Sequence, residues 1–117
     1  MIESQIIAYL KSVSDLSGIS ISLGEKPKNK SKEYIVLEVI DNGRINQIDA
    51  ITFNILSYSD SLLNAAKLNQ KVKSAMYNAV SLDNVSSSKC GGGGQSIDTS
   101  TKEYAYECVF NLYYTED

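Results

Sequence analysis

Residues 49–76 read DAITFNILSYSDSLLNAAKLNQKVKSAM, and the hydrophobic period changes midway along them. Ile51, Phe53 and Ile55 recur at every second position and share a face with Asp49 and Ser57, the period of a strand. From Leu62 onward the apolar positions are Leu62, Ala65, Ala66, Leu68, Val72, Ala75, Met76 and Ala79, which line one face of a helix. Ser59-Asp60-Ser61 stands between the two patterns and offers several N-caps. The alanines in the stripe let this helix lie close to a sheet. Lys67, Asn69, Gln70, Lys71, Lys73 and Ser74 mostly face away. A helix of about 18 residues spans about 27 Å, which matches strands of about eight residues.

Toward the C-terminus a second long strand is expected from about Glu103 to Thr115. Tyr104, Tyr106, Cys108, Phe110, Leu112 and Tyr114 alternate on one side, with Ala105, Glu107, Val109, Asn111 and Tyr113 on the other. Between helix and strand, Ser81–Ser88 reads as a strand or irregular edge. Gly91–Gly94 reads as a flexible loop or distorted strand edge, and a turn is expected around Asp98–Thr101.

Toward the N-terminus, Ile2, Ile6, Leu10 and Val13 line one face of a helix running to about Asp15, with Leu16 extending the stripe and Gly18 as its stop. Ile19, Ile21 and Leu23 alternate with small residues as a short half-buried strand. The run from Glu25 to Glu33 contains the only proline and reads as an exposed polar loop. Tyr34–Ile40 form the next strand, and Asn42-Gly43 predicts a type I′ hairpin turn onto a return strand from about Ile45 to Tyr58. The expected fold is one α+β domain over residues 1–117. Two helices pack against a mainly antiparallel sheet, in the order α-β-β-β-α-β-β.

Composition narrows the function. The chain has 117 residues, 43% of them hydrophobic, which suits a single core. Its formal net charge of −3 argues against general affinity for nucleic acid, which needs clustered cations. No stretch approaches the roughly 20 apolar residues that span a bilayer. The N-terminus has neither secretory nor transit character, so synthesis inside the cell is the default expectation. The absence of histidine removes the commonest general base near neutral pH and the commonest metal ligand.

Few residues invite a site. Gly91-Gly92-Gly93-Gly94 lacks the GK[ST] ending of a phosphate loop and the strand-to-helix context; its functional alternative is a segment ordered against a partner. A hairpin around Asp98–Thr101 sets residue 90 roughly opposite residue 109, near Cys108. A disulfide is then sterically allowed, and two free thiols is the preferred reading for a cytosolic protein. Two cysteines without histidine make no zinc site. Lys26, Lys28, Lys30 and Lys32 form either a solvated loop or an electrostatic contact with an acidic neighbouring subunit. Tyr113 and Tyr114 are half-buried strand tyrosines or interface residues. No pair of carboxylates suggests acid–base work, and no serine lies in a GxSxG elbow. Neither a catalytic residue nor a cofactor is expected.

The element order, together with DAITFNILSYSDSLLNAAKLNQKVKSAM and EYAYECVFNLYYTED, resembles the tail terminator (tail completion, or head–tail joining) proteins of long-tailed phages. In these a strand feeds a helix rich in small apolar residues. The chain then closes with a strand of the type carried here by Tyr104, Tyr106, Phe110, Leu112 and Tyr114. The resemblance covers nearly the whole chain through fold-determining positions. It implies a non-enzymatic virion protein, assembled in the cytoplasm of a bacterial host. Such a protein forms a ring, typically a hexamer, that caps the tail tube and docks to the head connector. Its partners would be other copies of itself, the tail tube protein and the head-completion protein, with no membrane and no specific nucleic acid. The loop Glu25–Glu33 and the segment Ser86–Ser96 are the candidate contact patches. Alternative readings are another head-completion or minor tail protein, a cellular protein-binding α+β module, or an enzyme built on Tyr, Ser or carboxylates.

Overall fold

The change of period at residues 59–61 is where the chain turns from sheet to helix. In the computed structural model, which describes residues 1–26, 32–98 and 103–115, the elements are α1 (Ile2–Ser12), a 3-10 turn (Ser14–Leu16), β1 (Ser20–Leu23), β2 (Tyr34–Ile45), β3 (Ile48–Ser59), α2 (Leu62–Tyr77), a second 3-10 turn (Asn78–Ser81), β4 (Val85–Asp98) and β5 (Glu103–Tyr114). This is the expected α+β order. The five strands form one sheet in the order β1-β2-β3-β5-β4. All pairs are antiparallel except β1–β2, which is parallel. The turn residues 99–101 lie outside the described residues.

Ser61 caps α2: its side chain accepts from the Asn64 backbone N–H at 3.1 Å, satisfying one of the orphan donors of the first turn. Two carbonyls near the other end of α2 are also occupied. The Tyr9 hydroxyl donates to the Ala75 carbonyl at 2.7 Å, and the buried Ser88 hydroxyl donates to the Met76 carbonyl at 2.6 Å. These two bonds tie α1 and β4 to the same helix end.

One apolar cluster joins Ile2, Ile6 and Leu10 of α1, Leu68, Val72 and Met76 of α2, and Ile35, Leu37, Phe53, Ile55, Phe110 and Leu112 of the sheet. Both helices therefore cover the same sheet face. Asn69, expected to face outward, is buried. It falls beside Leu68 on the edge of the stripe, and the sheet is wide enough to reach it.

The β2–β3 hairpin differs from the expected one. Asn42-Gly43 does not turn; both residues lie within β2, paired with Ile51 and Ala50. The turn is Asn46-Gln47, at φ +51° and +68°, the positive values that a type I′ turn requires. Side-chain parity explains the difference. A two-residue turn at Asn42-Gly43 would set Leu37 against Ile48 and Ile35 against Ala50, placing Phe53 and Ile55 on the opposite face from Ile35 and Leu37. The observed register pairs Leu37 with Ile55 and Val39 with Phe53, through a bulge between Val39 and Asp41. The bulge shifts the ladder by one residue, so the apolar sets of both strands reach the helices. Gln47 pays the usual side-chain penalty of a left-handed conformation. Gln47→Gly is therefore expected to stabilise the protein by up to about 1 kcal/mol, read as a rise in the midpoint of urea unfolding; an unchanged or lower midpoint would contradict it.

Candidate interaction surface

Among the described residues the second face of the sheet carries no helix, although Tyr34, Val36 and Ala105 on it are buried. Alternation within each strand decides what it presents. Between the core positions of β3 and β5, Thr52, Asn54, Glu107, Val109 and Asn111 point to this face, together with Leu56, Tyr58 and the buried Ala105. Asn54 Nδ2 donates to Glu107 Oε2 at 2.8 Å and to Glu38 Oε1 at 3.3 Å. One amide thus bridges two carboxylates across three strands. The next row carries Thr52, whose hydroxyl donates to Asn111 Oδ1 at 2.7 Å, and the exposed Asp41.

At one end of this face Tyr34 and Tyr58 stack as neighbours across β2 and β3, with ring centroids 4.6 Å apart and planes 13° from parallel. Lys26 Nζ lies 4.9 Å from the Tyr58 ring centroid and 2.5 Å from Glu103 Oε2, a cation held by a π face and a carboxylate together. Burial, and then Glu103 beside it, hold the Tyr34 hydroxyl above the ordinary tyrosine range. At the other end Tyr113 is 43% exposed. It borders a groove of about 460 Å³ with Asp41, Ala50, Thr52, Lys89 and Asn111.

The candidate residues named from the sequence are dispersed. Lys26 lies over Tyr58. Lys32 pairs with Asp60, Nζ to Oδ2 at 3.1 Å, at the start of α2. Hydrogen bonding from Asn64, then Lys32, lowers the Asp60 carboxyl to about 2. Lys28 and Lys30 lie outside the described residues. Tyr113 faces out, but Tyr114 is 7% exposed and belongs to the core cluster. Gly91–Gly94 form part of β4, paired along β5, with Gly91 at a bulge between Cys90 and Gly92. They are strand residues, exposed at the sheet edge. The polar row Glu38–Asn54–Glu107 has no signature in the sequence as a row, because each member is an ordinary outward residue of its own strand. Its one local trace is the pair of interleaved polar residues Thr52 and Asn54.

Both thiols are free. Cys90 pairs with Phe110 and Cys108 with Gly93, which makes the cysteines diagonal neighbours on the helix side. They border a crevice of about 290 Å³ with Asn69, Lys73 and Tyr106. Burial pushes the Cys108 thiol up to about 12 from 9.0, and the neighbouring Cys90 adds to the shift. Native protein treated with iodoacetamide near pH 8 is expected to be modified at Cys90, with Cys108 reacting only after urea is added; equal labelling in the native state would contradict this burial. A folded thiol that holds its proton longer than the unfolded one makes its full contribution to stability below about pH 9. That contribution is lost as pH rises toward 12.

No family model and no curated relative matches the chain. Among the described residues no three His, Cys, Asp or Glu side chains gather to hold a metal ion. No described helix is long and apolar enough to cross a membrane. The feature that remains is the sheet face without a helix: a stack of the buried Tyr34 on Tyr58 at one end, a carboxylate–amide row in the middle and a groove bordered by the exposed Tyr113 at the other.

Proposed function

We infer that the chain is a structural subunit of a phage or prophage tail, acting as a tail terminator that caps the tube and joins it to the head. It works by surface complementarity and carries out no reaction. The observation that carries this reading is the two-layer architecture. Both helices cover one face of a five-stranded sheet, and the other face, with polar and aromatic residues mixed, has no covering helix among the described residues. Mixed faces of this kind suit contacts between separately folded subunits, which combine aromatic anchors with a polar surround. The element order adds the resemblance to tail terminators. Ring closure there requires two different patches on each subunit.

The test is genetic and morphological. Disrupting the reading frame in its phage or prophage is expected to give tails of uncontrolled length that fail to join heads. Supplying the protein in trans is expected to restore joined particles. Reading frames for a tail tube and a tape measure are expected beside the gene. Tails of normal length after disruption, or a gene embedded in a cellular operon, would overturn the assignment.

A further inference from the structure

The glycine run lies on an outermost strand of the sheet. β4 pairs only with β5, so one edge of Val85–Asp98 has no strand beside it among the described residues. Apart from the ladder with β5, no backbone–backbone hydrogen bond among the described residues involves residues 86–98, and residues 91–95 are exposed. On the helix side, β4 and α2 border the crevice of about 290 Å³. Asn69 and Lys73 of α2 form its wall, and Gly93, paired with Cys108, forms its floor. Cys90 and Tyr106 flank that floor along the ladder, and the Cys90 thiol donates to the Gly92 carbonyl at 3.5 Å. Because β4 is outermost, the crevice opens at the sheet edge. Lys73 forms no ion pair among the described residues. Glu107, the other charged residue bordering the crevice, turns its carboxylate to the Asn54 amide on the opposite face.

We propose that the β4 edge and this crevice together take an extended segment of another protein, which adds to the sheet as a further strand. An unpaired edge offers main-chain donors and acceptors that an extended backbone meets in register. A strand added there carries every second side chain on the α2 side, and the one beside Gly93 enters the crevice. Glycine leaves that space empty, and a large side chain on the neighbouring strand covers an edge glycine. The volume suits one aromatic or aliphatic side chain, and it lies at the bottom of the range of small-molecule sites, about 300–1,000 Å³. Lys73 favours a carboxylate two residues away on the same face of the added strand. A second copy fits less well. Centred pairing of two β4 strands brings glycines against glycines. The other edge strand, β1, has four residues, and its Ile21 is already buried in its own core. This contact goes beyond the tail assignment and does not depend on it.

Three peptides test this: Ser-Thr-Glu-Thr-Tyr-Thr-Glu-Thr-Lys, and the same sequence with Leu or Ala in place of Tyr. In an extended chain the central residue and both glutamates share a face. Binding to the full chain is followed by NMR titration and amide hydrogen exchange. The Tyr and Leu peptides are expected to slow exchange along residues 86–97 and to bind about tenfold or more tightly than the Ala peptide. The Tyr peptide at about ten times its dissociation constant is expected to slow alkylation of Cys90 by iodoacetamide about tenfold, by mass action. Protein alkylated at Cys90 beforehand is expected to lose the Tyr peptide, whereas Cys90→Ala keeps it; circular dichroism verifies that both proteins are folded.

The proposal falls if no peptide binds at millimolar concentration or if the Ala peptide binds as well as the Tyr peptide. It falls if Cys90 is shielded without slower exchange along β4, which would make the crevice a side-chain pocket alone. It also falls if exchange along β4 slows with protein concentration in the absence of peptide, because the edge then meets a second copy. Each outcome is separable from the tail assignment. Tail termination by a protein indifferent to these peptides sinks the strand contact alone. Peptide binding by a protein whose loss leaves tails normal sinks the assignment alone.

Discussion

Gly93→Ala is expected to destabilise the protein by more than about 3 kcal/mol, a large part of the roughly 5–15 kcal/mol that holds a domain of this size. Gly93 has φ +150°, a region that residues with a Cβ enter at a cost of about 1–3 kcal/mol. A Cβ there would also collide with the Glu107 carbonyl oxygen and stand 2.9 Å from the Cys108 Cα. Both obstacles are backbone of the paired strand β5, so relief requires β4 to move away and lose ladder hydrogen bonds. The neighbouring glycines provide the comparison. A Cβ on Gly94 meets nothing within 4 Å, so Gly94→Ala is expected to be neutral or slightly stabilising. A Cβ on Gly91 meets the end of the Asn111 side chain at 2.7 Å, which can swing aside. Urea unfolding of the three variants should rank Gly93→Ala far below the other two. Equal midpoints would mean that the close approach of β4 to β5 at Gly93 is not maintained.

The glycine run is also the part of the fold least legible in the sequence. Four glycines carry no side-chain alternation, so the period that exposes β3 and β5 as strands is silent from Gly91 to Gly94. What makes β4 a strand there is its partner: β5 alternates strongly and supplies the ladder. The β2–β3 turn failed for a related reason. Asn42-Gly43 has the stronger local signal, but the local preference is smaller than the burial lost if Phe53 and Ile55 face solvent. The register of four large apolar residues prevails. By contrast β3, α2 and β5 were legible because each repeats its own period over ten or more residues. The parallel pairing of β1 with β2 left no mark in either strand, since the two directions place the same residues inward. The open face was half legible. Alternation names its residues, but only the packing of both helices on one side leaves it without a helical layer. The bond from Asn54 to Glu107 joins residues 53 positions apart, beyond any local pattern.

Phe110→Ala is expected to cost about 3–5 kcal/mol, the other large effect. Phe110 is fully buried and pairs with Phe53 across β3 and β5. Its ring meets Tyr77 edge-on at 5.1 Å and 74°, a geometry that adds about 0.5–1.5 kcal/mol beyond burial. Removing the ring opens a cavity under α2 between the helix and the two central strands. Their long ladder, with eleven paired positions from Asp49–Tyr114 to Ser59–Tyr104, resists collapse into it. Phe110→Leu, which leaves a smaller void, is expected to lose about 1–2 kcal/mol. Tyr113, three residues further along β5, faces the opposite side and is 43% exposed, so Tyr113→Ala is expected to change unfolding by less than about 0.5 kcal/mol. If the open face is the contact between copies, Tyr113→Ala weakens association at unchanged stability, whereas Phe110→Ala lowers the unfolding midpoint of the monomer itself. Measuring urea unfolding and sedimentation on both variants separates the side of the sheet that holds the fold from the side that meets a neighbour. A Tyr113→Ala protein as unstable as Phe110→Ala would mean that the Tyr113 end of the second face is covered within the chain, as the Tyr34 end is.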